Sequence, residues 1–117
     1  MSMAAALTDV EQLCQQAMHT LETRPHTPSG LPADLVKRIQ ALLPRLAESK
    51  KKIMIRSPRG QELTKAIEDH AAKLYDVIRQ LGPEDTAGDA VAAQLKAVED
   101  SVQNLIIYWK SFEYATT

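Results

Sequence analysis

Apolar side chains recur at spacings of three and four along four separate stretches of the chain, the spacing that stacks them on one face of an α-helix. The first stretch carries Val10, Leu13, Cys14, Ala17, Met18 and Leu21. Thr8 followed by Glu11 reads as a capping box at its start, while Leu7 and Met3 keep the same phase and allow a start near Ser2 instead. The pattern stops before Arg24 to Gly30, where Pro25, Pro28, Ser29 and Gly30 interrupt it. In the second stretch Pro32 suits a first helical turn, and Leu35, Ile39, Leu42, Leu46 and Ile53 form a seam in which Ser49 is the one weak position. Pro44 lies inside that seam, lacks the N–H that would bond to the carbonyl of Gln40, and predicts a kink. A break into two helices is the alternative, but the seam holds its phase and no good capping residue precedes Pro44.

Ser57 as cap and Pro58 at the first helical position predict the start of a third helix. Its seam reads Leu63, Ile67, His70, Leu74, Val77 and Leu81, and Gly82 with Pro83 supplies the stop. The fourth stretch is the cleanest: Val91, Leu95, Val98, Val102, Leu105, Trp109 and Phe112 stand in heptad register with no polar member. Four such seams predict an all-α chain forming a single domain over residues 1–117. Its expected architecture is an up-down-up-down antiparallel four-helix bundle, with the second helix kinked near Pro44. The short connections make helices two and three, and three and four, the expected antiparallel neighbours. A coiled-coil dimer of longer hairpins would use the same seams, and periodicity does not separate the two.

Composition narrows this picture without changing it. With 117 residues, 44% apolar and 25% charged, the chain has the material for one globular core rather than a disordered segment. A formal charge of −1 gives no global attraction to nucleic acid or anionic lipid, so any such binding must come from a local patch. Cys14 is the only cysteine, which predicts a reducing, cytoplasmic setting. Met1 to Leu7 lacks the pattern of a secretory signal, no apolar run approaches the ~20 residues of a membrane span, and no internal repeat is found.

Candidate chemistry is sparse. Di-iron sites in bundles need Glu and His three residues apart, but Ile67 stands three before His70, and Cys14 and His19 lie too far round a helix to share one ion. No metal and no cofactor is therefore expected, nor a catalytic residue. His70, Ala71, Ala72 and Lys73 resemble part of the motif of histidine phosphotransfer domains, which are four-helix bundles of similar size. The resemblance implies a phosphoacceptor role for His70. It departs from the family pattern at Leu74, where a glycine after the lysine gives the partner room to dock, and His70 itself falls on the apolar seam.

Charge is distributed unevenly. Arg45, Lys50, Lys51, Lys52, Arg56 and Arg59 face only Glu48 between residues 45 and 59, a net +5 that leaves −6 for the remainder. Cations in the last turns of a helix are favoured by its macrodipole at roughly 0.3 to 1 kcal/mol each, which accounts for lysines there without a ligand. The functional reading assigns Lys50, Lys51, Lys52, Arg56, Ser57 and Arg59 to an anion or partner site at the basic end, beside the first free amides of helix three. No groove-reading motif accompanies the patch, so nucleic acid is not an expected partner. In the expected topology this end also gathers Lys110, Trp109, Phe112 and Tyr114. Finally, the phase of helix four turns Ile107 and Tyr114 away from the core, with Tyr108 on the flank, a candidate protein interface. The sequence thus points by elimination to a non-enzymatic interaction module that binds another protein or itself. Phosphotransfer through His70 and anion or nucleic-acid binding through the basic end are the alternatives.

Overall fold

The computed structural model describes residues 3–23, 31–51, 58–81 and 89–115, with the side chains of 31–33 and 112–115 outside that description. Helices α1 (Met3–Glu22), α2 (Leu31–Lys51), α3 (Pro58–Arg79) and α4 (Asp89–Ala115) make up almost all of it, and no strand occurs among the described residues. The fold is all-α, and the helices associate as a four-helix bundle within one chain.

Helix α1 begins at Met3, upstream of the capping box. Thr8 lies inside the helix and donates its hydroxyl to the carbonyl of Ala4 at 3.0 Å. Burial decides the start: Met3, Ala6 and Leu7 all enter the core, so extending the helix back gains apolar area that a cap at Thr8 would forgo. Helix α2 runs unbroken through Pro44, which excludes the two-helix alternative. Pro44 is exposed, so its missing donor leaves the Gln40 carbonyl on the side where water can serve it. Helix α3 starts at Pro58, where the sequence places it, and its end is tightened by N–H donation from Gln80 to Asp76 (3.1 Å) and from Leu81 to Ile78 (3.3 Å). The proposed cap Ser57 and the stop Gly82 lie outside the described residues.

The core follows the seams closely in α2 and α4. Leu35, Ile39, Leu42 and Leu46 are buried, as is every member of the α4 series from Val91 to Trp109. In α3 the buried row is instead Gly60, Thr64, Ile67, Ala71, Leu74 and Ile78. Leu63, His70 and Val77, one heptad apart, are half-buried along its flank, with Leu81 beyond them. Small residues let neighbouring backbones come close, and α3 approaches both α1 and α4 more extensively than α2 approaches α4.

Each helix packs on two others. Among the described residues α1 touches α2 and α3, α4 touches α3 and α2, and there is no packing between α1 and α4 or between α2 and α3. The order round the bundle is therefore α1, α2, α4, α3, and helices two and three are diagonal rather than the neighbours their short connection suggests. Seven Cα steps separate Lys51 from Pro58 and reach up to about 23 Å. The diagonal of a bundle with helices 8–10 Å apart is only about 11 to 14 Å, so the connection bounds the distance without choosing the neighbour.

Candidate binding surface at the basic end

Two polar straps run from α2 to α4. Arg38 forks onto Glu99, with Nη2 donating to Oε1 at 2.5 Å and Nε to Oε2 at 3.4 Å, and one turn or two further on Arg45 donates to the side-chain oxygen of Gln103. The bond to Glu99 raises the Arg38 pKa above its already high ordinary value, although partial burial acts the other way. Residue numbers rise together across these pairs, so the C-terminal half of α2 lies alongside the C-terminal half of α4. That arrangement sets Arg45, the first cation of the basic stretch, in the same lining as Trp109 and Lys110.

Below the second strap the two helices leave a hollow of ≈ 330 Å³, lined by Pro44, Arg45, Glu48 and Ser49 of α2 and by Ile106, Trp109 and Lys110 of α4. Most of its surface is apolar. Ser49 is 1% exposed, and its Oγ has no hydrogen-bond partner among the described residues. Tyr108 packs its ring 5.3 Å from that of Trp109. Lys110 is exposed and has no ion-pair partner among the described residues.

The residues singled out from sequence separate in space. Lys50 is half-buried and reaches across to α1, where it forms an ion pair with Glu11 and donates to Thr8 Oγ1 at 3.5 Å. Lys51 is exposed, and Arg59 pairs with Glu62 one turn along α3 at 3.3 Å. Two of these cations thus already serve carboxylates of the fold. Lys52, Arg56 and Ser57 lie outside the described residues, as does the side chain of Tyr114. Ile107 is 54% exposed, on the outer face where the heptad phase puts it. Tyr108 is half-buried and packs against the core rather than standing free. His70 is half-buried on the α3 flank, with Nδ1 sealed from water and without a hydrogen-bond partner among the described residues.

Burial pushes the Cys14 thiol up from 9.0 to about 11, with a smaller push from the Glu11 carboxylate, so it stays protonated and unreactive at neutral pH. Among the described residues no three His, Cys, Asp or Glu side chains gather as a metal site would require, and no helix is long and apolar enough to cross a membrane. The hollow was not assembled from sequence, although Ser49 as the weak seam position was its visible trace. No protein-family model, curated protein or solved structure matches the chain.

Proposed function

We propose that this bundle is a non-enzymatic protein-interaction module, acting as an adaptor, regulator or oligomerisation unit through the outer face of α4 and the adjoining basic end of α2. The observation that carries the reading is Ile107: among the described residues it is the one large apolar side chain left exposed, at 54%. It sits one residue from Ile106 on the wall of the hollow and next to the half-buried Tyr108, so apolar surface continues from the groove onto the outer face. The exposed cations Lys51 and Lys110 would form the polar rim that such contact surfaces carry. A cytoplasmic setting suits a chain whose single cysteine is buried and held as the thiol.

Self-association and capture of a partner from native extract test this directly. Light scattering over a concentration series, run beside a pull-down, should show a complex that Ile107→Ser weakens about tenfold or more while the helical circular dichroism spectrum is unchanged, since truncating a central apolar anchor costs ~1–2 kcal/mol or more. A variant that assembles and captures as well as the parent would overturn the reading.

A further inference from the structure

We propose that the hollow between α2 and α4 is a binding site for a small amphipathic carboxylate, either a short acyl chain or a single aromatic ring bearing one negative charge. The site is distinct from the Lys50 to Arg59 cluster, where Lys50 and Arg59 are already engaged by Glu11 and Glu62.

The first ground is the lining. Pro44, Ile106 and Trp109 supply apolar walls, while Arg45 and Lys110 place two cations at the edge against one carboxylate, Glu48. Among the described residues Arg45 bonds only to the neutral amide of Gln103, and that bond does not cancel its charge. An apolar body with a single anionic head matches this balance. A nucleotide or other polyanion does not, because Glu48 would repel the extra charge. The volume of ≈ 330 Å³ stands at the low end of the range of about 300 to 1,000 Å³ typical of small-ligand sites.

The second ground is Ser49. A hydroxyl inside a helix ordinarily satisfies itself by donating to a carbonyl three or four residues back. Thr8, Thr20, Thr64, Ser101 and Ser111 all do so. Ser49 does not, although it is the most deeply buried hydroxyl of the set. A buried polar group without a partner is costly, and here the residue that carries it lines a hollow with cations in the same lining. With the Ser49 side chain turned towards the hollow, a carboxylate seated there would accept from its O–H with one oxygen and face Arg45 and Lys110 with the other, its apolar body lying on Ile106 and Trp109.

Trp109 is the only tryptophan, so its fluorescence reports on the hollow. The test titrates the full chain with hexanoate, hexanol and hexylamine, three probes of one length carrying negative, no and positive charge. Hexanoate should give a saturable change, weakened by salt, with hexanol at least about fivefold weaker and hexylamine weaker still. Ser49→Ala should weaken hexanoate about tenfold, as for a hydrogen bond to a charged group. Lys110→Gln should weaken it about threefold, being a more exposed charge. Lys110 is exposed, so that variant keeps its fold and the test its force. A flat titration overturns the proposal, because the hollow would then hold water only. Equal binding of hexanoate and hexanol, or hexanoate binding indifferent to both substitutions, overturns it as well.

Discussion

The two flanks of α4 are built from opposite materials. Stepping 100° per residue, Glu99, Gln103, Ile106 and Lys110 turn towards α2, where they meet Arg38, Arg45 and Ser49. Ala97, Ser101 and Tyr108 turn the other way, to the flank on which α4 packs against α3. Ser101 there folds its hydroxyl back onto the carbonyl of Ala97 at 2.8 Å and presents only a small surface, so the helices close on each other. Guanidinium and carboxylate groups lose heavily on leaving water, so on the α2 side they keep to the margin and span the gap with long arms. One seam is closely packed; the other is strapped, and the hollow is what the straps leave unfilled. Packing in this fold is therefore uneven by construction, and the surface with binding potential lies where it is weakest.

The same substitution placed on each flank would break this comparison if it is wrong. Ser101→Leu forces three more carbon atoms into the close α3–α4 seam and should cost about 2–3 kcal/mol, as overpacking usually does. Ser49→Leu projects into a hollow of ≈ 330 Å³ and removes a hydroxyl without a partner, so it should be neutral or stabilise by about 0.5–1 kcal/mol. Urea unfolding of both variants gives the difference. Equal losses at the two sites would mean that the α2–α4 seam is as tightly filled as the other.

What could be read from the chain alone follows the same division. Four helices and the α4 series from Val91 to Trp109 were legible because large apolar residues announce a buried face. The buried α3 face lies about a sixth of a turn from the expected seam. Its central row contains Gly60, Thr64 and Ala71, whose burial depends on how near a neighbouring backbone comes and which carry little hydropathy of their own. Neighbour choice was legible only in part: α3 and α4 do pack together, but between α2 and α3 a linker long enough for the diagonal is long enough for the edge. The hollow needed that choice: Ser49 stood out as a weak point in its seam, but only the adjacency of α2 and α4 sets it against Ile106 and Trp109. The capping box at Thr8 was a local signal overruled by burial of Met3 and Leu7.

Cys14 measures how dry the well-packed interior is. Its pKa rises from 9.0 to about 11, chiefly through desolvation, so the folded state retains the thiol proton where the unfolded chain has released it. A raised folded-state pKa gives stability that is complete below about pH 9 and is lost as pH climbs towards 11. The linkage amounts to roughly 2–3 kcal/mol across the window. Lysines and tyrosines titrate in the same range, so the readout is a difference: unfolding free energy measured at pH 8, 9.5 and 11 should fall more steeply for the parent than for Cys14→Ala. The variant begins less stable, because it leaves a small cavity, and the two curves converge with rising pH. Parallel curves would show that water reaches position 14.

The smallest effect sharpens the strapped side. Arg38 and Glu99 form the best-aligned pair in the α2–α4 seam, yet their side chains are 39% and 29% exposed, and solvent screens most of the Coulomb attraction. A double-mutant cycle with Arg38→Gln and Glu99→Gln should therefore return a coupling of only about 0.5–1 kcal/mol, shrinking further in 1 M salt. Opening this strap should also loosen α2 from α4 around position 38, so hydrogen exchange in the N-terminal half of α2 should speed up before that of α3. A coupling of ~3 kcal/mol or more would identify the pair as a buried determinant of the fold, and the α2–α4 seam would then be held by its charges rather than merely bridged by them.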